Sequence, residues 1–482
     1  MRDLFTFLVS REIGDMKHLV FLTILSIIGT VGAVVHPFYG VLLYYMLAVL
    51  RPQMLWGWAL PNDIRWSLLA AVATMIGLAL SLPRVALHLR WNRVATLLII
   101  FACLILLSTI NAYDQNTAMF WATEYAKIFI MAVIATLVMD RLHFVRYLSW
   151  MVLLAIGYIS WDLNSLYFFQ GRLDIYHYGY GGLDNNGAGL MIAMGLPFAY
   201  VCARHAQWTV VKIGCLFAGA LMLHAVLMSY SRGAMLSAGV ATVWLLIHHR
   251  PRFHAAGLAV AIVVMVAFMT GPEIRNRFLS IGDYQTDGSV QSRFDSWQSA
   301  WAIAWDHPLT GVGVRNSARY VLNYGNDFAG QTIHSQYLQV AADTGVIAFA
   351  VYIAICALSL WNLHCARRHM LEARSLYRHA PPESEPVGLH TPGPTDEFAD
   401  IALAIQASLI TFAFGGLFLS LEMFELPWLL FTIAGVLPKL AEERYPLDER
   451  LLRRARRHAA ITARPAPTNV RPAFGPRTEP TL

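Results

Sequence analysis

Three residues of this 482-residue chain are suited to moving a group between oxygen atoms: His334, Arg232 and Arg293. His334 stands in Thr332-Ile333-His334-Ser335-Gln336-Tyr337-Leu338, which reads as the opening of a helix with Thr332 as N-cap and His334 in the first turn. The positive end of a helix disfavours imidazolium, so a neutral, basic His is expected there, as a general base requires. Arg232 follows Tyr230 and Ser231 at the start of an apolar run, where backbone N–H groups and a guanidinium make an anion site. Arg293 lies in the first turn of a further predicted helix. Two Arg can hold a diphosphate and a neutral His can deprotonate a hydroxyl. Asn185 and Asn186, in Leu183-Asp184-Asn185-Asn186-Gly187, join Tyr230, Gln336 and Tyr337 as second-rank substrate-binding candidates by position. Each also has an ordinary use. Asp and Asn cap helices, an interfacial Arg snorkels to headgroups, and His334 is one of 17 histidines.

The elements that must position these residues follow from composition. Hydrophobic residues make up 57% of the chain and charged residues 14%, with mean hydropathy +0.50. Soluble domains average about 45–50% apolar and about 25% charged. The excess falls in blocks near the ~20 residues that a lipid-spanning helix needs. Spans are expected at 19–35, 37–50, 66–82, 94–110, 120–139, 144–160, 187–203, 211–228, 233–248, 255–270, 345–362, 400–420 and 426–440. The pattern excludes a soluble enzyme, a disordered chain and a disulfide scaffold. It also excludes a membrane β-barrel, whose strands alternate. The first apolar run begins only near Leu19, so no cleavable signal peptide is expected. All five cysteines lie in or beside apolar spans with no Cys-x-x-Cys pattern, so neither a disulfide nor a metal site is expected.

Net charge is +6, and lysine occurs only at positions 17, 127, 212 and 439. The basic excess sits in loops and tail, so nucleic acid is not implied. Loops 83–93, 140–146, 203–212, 249–254 and 363–399 carry 13 Lys or Arg; loops 51–65, 111–119, 161–186, 229–232 and 421–425 carry 4. The positive-inside rule puts the first set in the cytoplasm and the long loop 271–340 outside. Thirteen crossings would then put the N-terminus outside, although Arg2, Arg11 and Lys17 precede the first span. If 19–50, with its His36-Pro37 break, crosses once, the N-terminus is inside; twelve or thirteen crossings is the range. The Pro-rich stretch 363–399 reads as a mobile cytoplasmic linker, and 441–482 as a basic, partly disordered cytoplasmic tail. Its Arg450, Arg453, Arg454, Arg456 and Arg457 are suited to anionic headgroups.

Seventy residues between spans exceed a mere connector. Within them Val290, Phe294, Trp297, Trp301 and Trp305 fall on one helix face, capped by Ser289 and stopped by His307-Pro308. Such a stripe lies along headgroups or packs on the bundle. Asp283 and Asp287 make no Asp-x-Asp metal motif. Two Arg, one His and several Asn or Gln beside this helix suggest attack of a hydroxyl on a lipid-diphosphate-linked donor.

The chain resembles the O-antigen ligase / O-antigen polymerase (Wzy-type) superfamily over about 186–362. The likeness rests on Ser229-Tyr230-Ser231-Arg232-Gly233, then Arg293, then His307-Pro308-Leu309-Thr310-Gly311-Val312-Gly313, then His334-Ser335-Gln336-Tyr337-Leu338 and Gly345. His36-Pro37-Phe38-Tyr39-Gly40-Val41 and Arg51-Pro52-Gln53 resemble exosortase-associated O-glycosylation ligases. The resemblance implies an all-α polytopic glycosyltransferase of GT-C type in a bacterial inner membrane, its site facing the periplasm. It further implies an inverting, metal- and cofactor-free reaction from an undecaprenyl-diphosphate-linked glycan to a glycan, lipid or protein hydroxyl. Arg232 and Arg293 would bind the diphosphate and His334 would be the base. The expected layout is an N-terminal membrane region 1–186, a core 187–362 with the loop, the linker 363–399, a membrane hairpin 400–440 and the tail. A Wzy-type polymerase, or an anion or solute transporter, are the competing readings. The insert 363–399 departs from the family pattern.

Overall fold

The computed structural model describes residues 2–58, 60, 64–81, 91–249, 252–269, 288–325, 332–378, 393–420 and 424–447. Among these the helices are α1 (Arg2–Val35), α2 (Pro37–Leu50), α3 (Pro52–Leu55), α4 (Trp66–Ser81), α5 (Arg93–Ile110) and α6 (Gln115–Val138). They continue with α7 (Leu142–Gln170), α8 (Asp174–Tyr178), α9 (Asn185–His205), α10 (Thr209–Met228), α11 (Arg232–His248) and α12 (Arg252–Met269). The last are α13 (Gly288–Asp306), α14 (Ser317–Tyr320), α15 (Gln336–Arg378), α16 (Gly393–Gly415) and α17 (Glu425–Arg444). Every stretch expected to span is helical. Among the described residues, nine helices are long and apolar enough to cross a membrane, and Trp66–Ser81, Arg232–His248 and Ala255–Met269 are apolar but shorter. The protein is an all-α, multi-pass membrane protein.

Local signals start several helices. Asn92 caps α5 by accepting from the Ala95 N–H at 2.9 Å, Asp114 caps α6 through Thr117, and Asp184 caps α9 by accepting from Gly187 N–H at 2.7 Å. The centre of the bundle is α9, α16 and α17, whose faces pack on α15, α11, α7 and α6. Trp428, Phe431, Phe412 and Phe198 are fully buried there. By contrast α1 turns Val20, Ile24, Ile28 and Val31 outward, as a helix against acyl chains does.

Helices α1 and α2 settle the crossing conflict. His36 is a tight joint: its Nδ1 accepts from Phe38 N–H at 3.2 Å, and Pro37 occupies the first helical position. The two helices pack on each other, and the His18 ring stacks on Trp56, just past the end of α2, at 4.9 Å. The stretch 19–50 therefore folds back as two helices, each a candidate span, and residue 18 lies at the same end of the bundle as residues 51–58.

That end also carries His334. The opposite end is tied by Arg146–Glu397, Arg204–Asp400 at 2.9 Å and His205–Asp400 at 2.8 Å, which join α7 and α9 to α16. The stretch 363–399 differs from the expected linker. Residues 363–378 continue α15 with Leu363, Ala366, Met370 and Ala373 buried, and α16 begins at Gly393. An apolar stripe at helical spacing outweighed the polar composition. Its prolines 381, 382, 386 and 392, the expected tail beyond 447, and Asp283 and Asp287 lie outside the described residues.

Candidate functional site

Four segments meet at the His334 end. The first is the start of α9, where Asn185 donates from Nδ2 to the Ser229 carbonyl at 2.9 Å and Asn186 donates to the Asp184 carboxylate at 3.1 Å. The second is the turn 229–231 into α11. Ser229 and Ser231 are buried, Ser231 caps the helix through Ala234 N–H, and Arg232 is its first residue. The third is the turn 416–420 after α16. Its Gly416 and Leu419 carbonyls accept from Gln336 N–H at 2.8 and 3.0 Å, and Phe418 and Leu419 lie against Gly233. The fourth is α13, whose Trp297 donates to the Ile333 carbonyl at 2.9 Å and rests against Phe418. Arg293 lies one turn before Trp297 on α13.

His334 departs from the expected position. The helix begins at Gln336, so His334 is outside it rather than in its first turn, and Thr332 is no cap. Its backbone has φ 52°, the left-handed region. The reason is local: Ile333 is pulled into a small core with Ala300, Ile303, Val312, Val321 and Ala342, while Gln336 is fixed on the 416–420 turn. The two residues between must reverse direction. Burial lowers the His334 pKa below the ordinary value of 6.5; the positive Arg293 lowers it further, and Asp184 opposes both. The imidazole is neutral at neutral pH, as expected, but burial and Arg293 rather than a first-turn location account for it.

Among the described non-glycine residues, φ is positive only at Arg51, Tyr230, Arg315 and His334. Each such residue costs about 1–3 kcal/mol, and they gather at functional sites. Arg51, Arg315 and His334 line one cavity of about 710 Å³, and Tyr230 precedes Arg232. That volume falls in the ordinary range for ligand sites. Tyr44, Arg51, Arg65, Asp184, Arg315, His334 and Glu425 stand at its polar end. Leu68, Ala71 and Met75 of α4 and Ile128, Ile130 and Met131 of α6 also line it, together with the Glu124–Lys127 pair of α6. Leu68, Met75 and Ile130 are partly exposed.

The structure brings His334, Arg293 and Asp184 together and sets Arg232 beside the same 416–420 turn. Neither Arg232 nor Arg293 is among the described residues that line the cavity. Gln336 and Tyr337 serve the frame. Gln336 is fully buried, and the Tyr337 hydroxyl donates to the Ala413 carbonyl at 2.7 Å. The Tyr230 ring rests against Tyr176 at 5.1 Å. Sequence reasoning missed Arg51, Arg65, Lys127 and Arg315 as lining residues. A usable signal existed: Arg51 and Arg65 are two of the few basic residues in the cation-poor loop set.

The loop helix resolves its two readings. The face of α13 toward the bundle carries Ser296, Ser299, Ala300, Ile303 and Ala304, all buried. Trp301 and Trp305 are 54% and 60% exposed and Phe294 is exposed too, whereas Trp297 of the same stripe packs inward, so the stripe divides between the surface and the bundle. The helix ends at Asp306, before His307-Pro308, as expected; it starts at Gly288, which places Ser289 inside it.

The described residues thus form a many-helix membrane protein with a polar cavity lined in part by a half-buried His. Residues 217–353 match the family model described as O-antigen ligase. Residues 16–162 match a second model, described as a family of unknown function. No curated protein matches the chain.

Proposed function

We propose that the protein is an inverting, metal-independent glycosyltransferase that moves a glycan from an undecaprenyl-diphosphate carrier to an acceptor hydroxyl. Its site faces the periplasm of a bacterial inner membrane, because the opposite end carries the Lys- and Arg-rich loops. Within the superfamily it stands nearest the exosortase-associated O-glycosylation ligases, on His36–Val41 and Arg51–Gln53. The observation that supports the reading is His334, whose pKa is lowered by burial and Arg293 and raised by Asp184, and which lines one cavity with Asp184.

The chemistry follows from these groups. His334 takes the proton of the acceptor hydroxyl as its oxygen attacks C1 of the sugar. The C1–O bond to the diphosphate breaks, and its electron pair leaves with the diphosphate. That leaving group needs charge stabilisation more than an acid, and Arg232 and Arg293 supply it. Attack from the face opposite the leaving group inverts C1. Among the described residues the bundle's far end is tied by ion pairs and contributes nothing to this cavity's lining, which favours surface chemistry over transport.

The test is glycan transfer by purified protein in lipid. His334→Ala is expected to lower transfer by about 10²–10⁴-fold while donor binding survives. Full transfer by this variant sinks the base role. EDTA is expected to leave the rate unchanged, and a strict divalent-cation requirement would overturn the metal-independent part.

A further inference from the structure

One arginine that the proposed chemistry does not use ties three distant parts of the chain together. Arg51 ends α2, in Arg51-Pro52-Gln53, within the segment matched by the family of unknown function. Its guanidinium donates to the Gly181 carbonyl and, at 3.2 Å, to the Glu425 carboxylate at the start of α17. It also lies 5.9 Å from the centre of the buried Phe424 ring. The residue before it makes a second tie, because the Tyr180 hydroxyl donates to the Leu50 carbonyl. We propose that Arg51 is a positioning residue for the His334 site: with Tyr180 it clamps the turn 179–183, and that turn holds the Asp184 carboxylate in the His334 cavity. The role rests on the transferase reading for its effect on turnover, and on the geometry alone for the clamp.

The two acceptors of Arg51 lie 130 and 374 residues away along the chain. A guanidinium fork can meet a neutral carbonyl and a carboxylate on different elements at once; a lysine ammonium is a point charge without that geometry. The backbone is bent to make the fit. Arg51 has φ 45°, and its N–H donates to the Leu47 carbonyl at 2.9 Å as it closes α2. A left-handed non-glycine residue persists only where its surroundings hold it. Gly181 permits the close approach, since a Cβ there would lie 2.9 Å from Arg51 Cδ.

From the turn the path runs directly to the site. Tyr180 and Leu183 exchange both backbone hydrogen bonds, at 3.0 and 2.9 Å, which closes the turn on itself. The next residue, Asp184, accepts from Gly187 N–H at 2.7 Å and from Asn186 at 3.1 Å. Asn185 donates to the Ser229 carbonyl at 2.9 Å, on the turn that leads to Arg232. Asp184 lines the cavity with His334 and is the charge that raises the His334 pKa. Arg293 of α13 opposes it, and Arg51, Arg315 and Glu425 share the cavity.

The signs separate this role from a plain charge effect. Acting through Asp184, the loss of Arg51 lets the carboxylate move away from His334, and the His334 pKa falls. Acting by its own positive charge, the loss of Arg51 would raise that pKa.

The test uses the full-length protein in nanodiscs. The neutral fraction of His334 is read from its rate of modification by diethyl pyrocarbonate against pH, by mass spectrometry of the peptide that carries it. Glycan transfer and thermal unfolding are measured beside it. Arg51→Gln, Arg51→Lys and Tyr180→Phe are each expected to move the modification midpoint to lower pH, as Asp184→Asn does. Each is expected to slow transfer by up to about 10²-fold, the cost of misplacing a catalytic group by an ångström. In the Asp184→Asn background, Arg51→Gln is expected to add no further shift, because the charge that it places is gone. A midpoint at higher pH in Arg51→Gln, or the wild-type midpoint in either Arg51 variant, overturns the proposal, as does an additive shift in the Asp184→Asn background. If thermal unfolding shows that the Arg51 variants do not fold, Tyr180→Phe, which removes one hydroxyl and no residue of the cavity lining, decides by the same signs. The expected shifts in a protein that transfers no glycan would sink the transferase reading and leave the clamp standing. Transfer with an unmoved midpoint would do the reverse.

Discussion

A general base in a membrane enzyme has to be kept free of its proton and still lie close to cations that hold an anionic leaving group. At His334 one arrangement meets both needs. Burial disfavours imidazolium, Arg293 adds repulsion, and Asp184 moderates the effect. The signs give a prediction. Transfer requires the neutral imidazole, so the rate should be flat through neutral pH and fall only below the ordinary His value of about 6.5. Arg293→Gln removes a charge that lowers the pKa, so the acid limb should move to higher pH, whatever happens to the plateau. Asp184→Asn keeps an N-cap but removes the charge that raises the pKa, so the limb should move to lower pH. Transfer rate against pH for the three proteins checks this; shifts in the same direction would break the link between these groups and His334. The neutral His was legible in the sequence, but its cause was not, because Asp184 and Arg293 are remote along the chain and only the fold brings their charges to it.

At the scale of elements, the short helical piece that follows His334, the proposed base, is set off by a break in α15. Gly345 has φ 89°, and a Cβ there would lie 2.7 Å from the Pro308 carbonyl oxygen, whose own partner is Val346 N–H at 2.8 Å. The short piece 336–344 therefore turns independently of the long span after it, and its first residue is pinned by two carbonyls of the 416–420 turn. Gly345→Ala should cost about 1–3 kcal/mol of stability and more of transfer. A lowered unfolding midpoint together with lost glycan transfer is the expected outcome; an unchanged midpoint would mean that the Pro308 contact gives way freely. Gly345 was visible as part of a motif, and helix starts such as Asp184 were visible as caps. For α13 the period was legible and both placements of the stripe were open, and the structure divides it: Trp297 packs inward while Trp301 and Trp305 are exposed. Small Ser and Ala residues carry the packing, and Trp301 and Trp305 stay outside because their bulk suits an interface.

For the whole molecule, apolar blocks made the helices legible: among the described residues nine are long and apolar enough to cross a membrane and three more are apolar but shorter, since burial in lipid demands such blocks regardless of tertiary detail. What they could not supply was which blocks flank one another, and hence that α4 and α6 of the N-terminal region wall the His334 cavity. The one topological conflict, the count at 19–50, turned on whether His36-Pro37 kinks a helix or reverses it. The stack of His18 on Trp56 shows reversal. This carries a prediction that the charge rule alone opposes, because Lys17 is basic. Lys17 is exposed and lies at the His334 end, whereas Cys365 lies at the other, in the part of α15 past its span, so the two should sit on opposite sides of the membrane. With the other native cysteines replaced by Ser, Lys17→Cys in intact spheroplasts should react with a membrane-impermeant maleimide. Cys365 should react only after permeabilisation. Protection of Lys17→Cys until permeabilisation would return the N-terminus to the cytoplasm and the protein to twelve crossings, and would separate α1 from the outer end on which the cavity is built.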